Sequence, residues 1–190
     1  MRISKLLFTA CAVAVASMSL ASMPASAATE MEQLAKRLGP GDFTPRVEFL
    51  LKNNNPAQAL ELADLGIKAN PRNAQLQFLR TTALERLGRT EEAAKGLRSM
   101  IGAYPEIPEP YNNLAVIEAG MGNLEEALTL LSQALRINPS FATALKNKGD
   151  VHLALALENY EAAAPVLSNN TQLQTRLKAL RRLTGSKAAD

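Results

Sequence analysis

The sequence predicts an all-α chain in which helix pairs stack into a superhelical solenoid, and three observations carry that prediction. Self-comparison finds a 34-residue period: Pro71, Pro105 and Pro139 are evenly spaced, and Ala59, Ala93 and Ala127 each stand twelve residues before one of them. Large aliphatics keep the same register at Ile67, Ile101 and Leu135. Gly88 and Gly122 share another register, with Asn54 in the equivalent place. Between these markers apolar residues recur at helical spacing, as in Leu76, Leu79, Ala83 and Leu87. Units of this kind bury apolar surface only against their neighbours, so the array needs a cap at each end.

The N-terminus reads as a targeting segment. Arg2 and Lys5 form a short positive region, an apolar stretch runs from Leu6 to about Leu20, and Ala25-Ser26-Ala27 supplies a small-residue cleavage pattern. Residues 1–27 are therefore expected to be a signal peptide cut after Ala27. A retained membrane anchor is the competing reading, since roughly 20 apolar residues span a bilayer. Pro24 and the small-residue end fit cleavage better. Cys11 is the single cysteine, and Phe8 stands where a lipidation signal would place an aliphatic residue. The mature chain then lacks a thiol, which excludes disulfides, cysteine nucleophiles and thiolate metal sites. Removing Arg2 and Lys5 lowers the formal charge from +3 to +1. That balance argues against a general nucleic-acid binder, whose affinity comes largely from phosphate neutralisation. The alanine-rich signal resembles bacterial ones, so the expected location is the bacterial periplasm, or secretion.

The remaining chain divides in order. Residues 28–39 form a lead-in, with a short helix over Glu30–Leu38 ended by Gly39-Pro40. The array spans 40–168, in repeats of about 40–73, 74–107, 108–141 and 142–168. Asn55-Pro56 opens a helix with a cap residue and a first-turn proline, whose missing N–H costs nothing there. Thr90 is expected to cap a helix begun by Glu91-Glu92, where the dipole favours negative charge. Asn70-Pro71 and Asn138-Pro139 stop helices, because proline disfavours helical geometry in the preceding residue. Pro105 to Pro110 holds three prolines and is expected to be a stiff, extended linker. The segment Asn170–Leu183, within a unit at 169–184, carries Leu173, Leu177 and Leu180 on one face and is expected to be the C-terminal capping helix. Residues 185–190 are read as a flexible tail.

These residues resemble the tetratricopeptide-repeat family, whose unit is a 34-residue helix–turn–helix. The third repeat matches best, with Tyr111, Leu114-Ala115, Gly122, Ala127, Leu131 and Pro139. The second keeps Gly88, Ala93, Leu97 and Pro105, but has Gln77 and Arg80-Thr81 where an aromatic and Leu-Gly would stand. The first is shorter, with Phe43, Ala59 and Pro71, and Gly66 in a place usually held by Ala. A fourth begins at Ala142 with Gly149. Its second half fits only if the first helix is two residues longer, which puts Tyr160 and Ala163 in register. The resemblance implies about three and a half to four repeats, with Ala59, Ala93 and Ala127 where paired helices approach.

Enzyme signatures are missing. His152 is the single histidine, so no His-x-x-x-His zinc pair exists and a serine triad has little scope. By register it falls where the family places a Tyr, so it is expected to be a packed or half-exposed inter-helix residue. Glu91-Glu92 and Glu125-Glu126 are explained by the helix dipole. No phosphate-binding glycine loop occurs. The expectation is a non-catalytic chain without cofactor or metal.

What the resemblance implies about function is a protein or peptide partner held on the first helices of successive repeats. In this register the contact positions are Gln75, Phe78, Thr82 and Glu85; Glu109, Asn112 and Val116; and Thr143, Lys146 and Asp150. Phe78 reads either as a groove anchor or as core against the neighbouring repeat. Family members that clamp chaperone C-termini use paired Lys and Asn residues. This chain keeps Asn113 and Asn147 of such a set without the flanking lysines, which argues against that clamp. A second reading places the function in the tail helix. Arg176, Lys178, Arg181 and Arg182 make a basic patch that could meet an anionic membrane or polymer, though a cap whose cations face water accounts for it as well.

Overall fold

The computed structural model describes residues 29–185, and those residues fold into nine helices with no strand among them. The predicted signal segment lies outside the described residues, as do nearly all the residues of the predicted tail. The helices are α1 (Glu30–Ala35), α2 (Phe43–Lys52), α3 (Pro56–Ala69), α4 (Ala74–Arg86), α5 (Thr90–Ala103), α6 (Pro108–Gly120), α7 (Leu124–Ile137), α8 (Ala142–Ala163) and α9 (Thr171–Thr184). Each packs on the next from α2 to α9, and α1 lies against α3. Alternate helices also touch, α2 on α4 and α6 on α8, so first helices of successive pairs adjoin there. This is the all-α solenoid of helix pairs that the period predicts.

Local chemistry sets the helix ends. Thr29 and Glu32 form a reciprocal capping box at α1. The Asn73 side chain accepts from the Leu76 amide, and Asn170 does the same for Leu173. Asn70 and Asn138 are the C-caps of α3 and α7, each followed by proline as expected. The turn inside each of the first three pairs uses one left-handed residue in the same register: Asn54 at φ 57°, Gly88 at 72° and Gly122 at 86°. Glycine adopts that conformation without the Cβ penalty other residues suffer, and asparagine tolerates it.

A main core runs from Met31 to Val151. Ala59, Ala93 and Ala127 are fully buried where α3, α5 and α7 meet their partners, with Leu62, Leu97 and Leu131 beside them. Thr81 departs from the family pattern in bulk, and the facing helix makes room for it. A Cβ built on Gly96 would lie 2.8 Å from the Thr81 Cγ2, so the small residue has moved from α4 to α5.

Four expectations are corrected. The Pro105–Pro110 segment is not an extended linker: Pro105 and Glu106 form a turn closed by the Ile107 amide donating to the Tyr104 carbonyl at 3.1 Å, and Pro108 enters the first turn of α6, where absent N–H groups cost no hydrogen bond. Thr90 is the first residue of α5 rather than its cap. Arg89 holds the cap position and pairs with Glu92 at 2.7 Å. The fourth repeat does not turn between Gly149 and Tyr160. Ala156 occupies the register of Gly122, and the Ala- and Leu-rich run around it continues α8 for 22 residues. Tyr160 and Ala163 are therefore in the last turns of α8, and the partner of α8 is α9. Finally, His152 is exposed on α8 rather than packed between helices.

The capping role of α9 follows from its leucines. Leu173, Leu177 and Leu180 are buried with Leu157 in a second apolar cluster, flanked by Leu153, Ala156 and Tyr160 of α8.

Candidate partner-binding face

The first helices of the pairs carry the predicted contact positions, and the structure sorts them into three groups. Exposed positions are Gln75, Glu109, Val116, Thr143, Lys146 and Asp150. Gln75 donates to Glu48 of α2 at 3.3 Å, and Lys146 pairs with Asp150 one helical turn away at 2.6 Å. Phe78, Thr82 and Glu85 are half-buried. Phe78 packs against the main core, while its carbonyl accepts from the hydroxyls of both Thr81 and Thr82.

Asn112 is a correction: the sequence placed it among the exposed contacts, and it is only 4% exposed. Its carbonyl oxygen accepts from the Asn147 amide of α8 at 2.9 Å, and its own amide donates to the Asn113 oxygen at 3.1 Å. A buried amide persists where its groups are paired, so Asn112 is a polar tie between α6 and α8. Asn113 and Asn147 are thereby engaged within the face.

Two cavities flank Val116, which is itself 52% exposed. One, of about 150 Å³, opens between α6 and α8 and is floored by Ala115, Ala119, Leu131 and Val151, with Asn147 and Asp150 at its polar side. The other, of about 280 Å³, lies between α4 and α6 and is lined by Glu85, Thr90, Asn113, Val116 and Ile117. Val116 is common to both. Sequence register does not place Asn147, Ala119 or Thr90 among the contact positions of this face. Asn113 and Asn147 stand one period apart, and that spacing is the available signal.

Glu85 is the one charged residue lining the second cavity. Its Oε1 is shielded from water and has no hydrogen-bond partner. Burial pushes the carboxyl above its ordinary value, because desolvation disfavours the charged form. The buried Glu118 has hydrogen-bond partners. It accepts from Asn123 at 2.8 Å and pairs with Arg98 of α5, tying three helices together.

The basic patch of α9 is split. Arg181 pairs with Glu161 at 3.0 Å, and Arg176 lies over the Tyr160 ring and donates to its hydroxyl. Lys178 and Arg182 are exposed. No group of acidic, His or Cys side chains among the described residues could hold a metal ion, and no described helix is long and apolar enough to cross a membrane.

The family model for the tetratricopeptide repeat matches residues 49–106, and a second, for the TPR repeat, matches 117–155. Protein FlbA of Caulobacter vibrioides is 31% identical over 86 residues, 43% of this chain but 14% of FlbA, so the chain spans about a seventh of that relative. The thermophilic TPR protein TTC0263 of Thermus thermophilus superimposes with a TM-score of 0.58 at 21% identity, covering 78% of this chain and 84% of that one. The second TPR domain of human RPAP3, in complex with the HSP70 peptide SGPTIEEVD, gives 0.54 at 22% identity, covering 60% of this chain and 98% of the domain. At these identities the likeness shows the fold.

Proposed function

Because this chain carries tetratricopeptide repeats in an all-α solenoid, we propose that it is an exported, non-catalytic adaptor that binds a segment of a partner polypeptide across α4, α6 and α8. The observation that carries this reading is the pair of cavities around Val116. An exposed aliphatic flanked by two mostly apolar pockets, one of them lined by the single carboxylate of Glu85, suits successive side chains of an extended peptide. The human RPAP3 domain, which shares the fold, binds a peptide, and that supports this use of the face. Export is read from the residue pattern of 1–27, which supports a location in the bacterial periplasm or outside the cell.

The test is co-purification from envelope extract at low and high salt, with the N-terminus of the recovered protein sequenced. Cleavage predicts a first residue at Ala28 or one beside it. A discrete protein partner should be lost when Ala119→Trp fills the α6–α8 cavity, and should survive the pair Lys178→Glu and Arg182→Glu. Attachment to an anionic membrane or polymer through α9 is the second reading, favoured by the exposure of Lys178 and Arg182. It predicts the opposite pattern, with steep salt dependence.

A further inference from the structure

We infer that the partner segment presents a lysine or arginine side chain to Glu85, so that the face selects cationic polypeptides and rejects acidic ones. The inference rests on the peptide-binding reading and adds its chemistry. Three features of the α4–α6 cavity support it. Its single charged lining residue is Glu85, and the other four lining residues offer no cation. One carboxylate oxygen is shielded and unpartnered, although buried carboxylates are ordinarily paired. Burial holds the carboxyl above its ordinary value, and among the described residues no ion pair includes Glu85.

One adjoining position shares the sign. Glu109 is exposed on α6, whereas Asp150, beside the α6–α8 cavity, forms a neutral pair with Lys146. The lone cation among the predicted contact positions, Lys146, is already paired with Asp150. An acidic segment would therefore bring like charge to a low-dielectric cavity, which costs far more there than in water. A guanidinium or ammonium in the cavity instead brings a counter-charge to the Glu85 carboxylate. The peptide bound by the human RPAP3 domain ends in Glu-Glu-Val-Asp, and this face is electrostatically unsuited to such an end.

The test uses the full chain and an array of alanine-based octapeptides in which each position in turn carries Lys, Arg, Met or Glu around a fixed Val. The expected result is capture of Lys and Arg peptides, with affinity about tenfold above the Met peptide of the same register and no capture of Glu peptides. Glu85→Gln should remove the Lys-over-Met preference. The Glu85 carboxyl, followed by carbon NMR, should titrate at lower pH once the Lys peptide is bound.

Binding without cation preference, but abolished by Ala119→Trp, would overturn this inference and leave the peptide-binding face standing. Capture indifferent to both Ala119→Trp and Glu85→Gln would overturn both. A Glu85 titration unmoved at saturating Lys peptide would overturn the assignment of the cation to Glu85.

Discussion

The first three helix pairs and the fourth derive from one repeat, yet they turn at different places. In the first three, a left-handed residue arrives on schedule at Asn54, Gly88 and Gly122, and the chain reverses there. In the fourth, Ala156 fills that register, and the helix runs on to Ala163 before Pro165 ends it. The consequence is a divided core. Ala144 and Val151, in the first half of α8, belong to the main core, while Leu157 joins the leucines of α9 in a separate cluster. The missing left-handed residue in this register thus goes with a longer helix whose second half packs on α9 rather than on the main core.

That division is best broken with two large-to-small substitutions. Leu131 is fully buried in the main core, and Leu177 is buried in the α8–α9 cluster. Each change to Ala should cost about 2–5 kcal/mol at its own site. Leu131→Ala should speed hydrogen exchange across α6, α7 and the first half of α8. Leu177→Ala should speed it in α9 and the end of α8, leaving the amides of α2 to α5 protected. Equal loss of protection throughout after Leu177→Ala would show one cooperative core instead of two.

A smaller effect tests the turn itself. Gly122 and Ala156 stand one period apart in opposite conformations, left-handed against helical. Gly122→Ala should destabilise by about 1–2 kcal/mol through the Cβ penalty. Ala156→Gly should also destabilise, by about 1 kcal/mol, because glycine is costly inside a helix. Urea midpoints would report both. A stabilising Ala156→Gly would mean that α8 prefers to turn where the other repeats do.

Much of this fold is legible because the period repeats small and turn-forming residues whose reasons are local. Asn70-Pro71 stops α3 and Asn138-Pro139 stops α7, whatever packs around them. Legibility fails where the neighbour decides. Thr81 reads as a defect in the repeat until Gly96 is set across from it. The contact positions show the same limit. Phe78, Asn112 and Lys146 share one register but are half-buried, buried and exposed, because each meets a different adjoining helix. Register names the face of a helix, and the partner helix sets its depth. Neither the Asn112–Asn147 bond nor the isolation of Glu85 can be read from spacing.

The smallest expected effect concerns Glu85 and Glu118, two partly or wholly buried carboxylates on adjacent first helices. Glu118 is satisfied by Arg98 and Asn123, whereas Glu85 has an oxygen with no donor. Burial raises the Glu85 carboxyl in the folded protein above the ordinary value of 4.5. The folded state then binds more protons than the unfolded state at pH values above about 4.5, so this group's contribution to stability falls as pH rises through that range. Ordinary paired carboxylates behave in the opposite sense. Glu85→Gln removes the titration and should flatten that part of the profile, raising the urea midpoint relative to wild type at pH 7 more than at pH 4. A difference between the two proteins that stays constant over that range would mean that the unfolded and folded carboxyls titrate alike. Saturation with a lysine peptide should erase the same slope, since a bound cation stabilises the ionised form that burial disfavours.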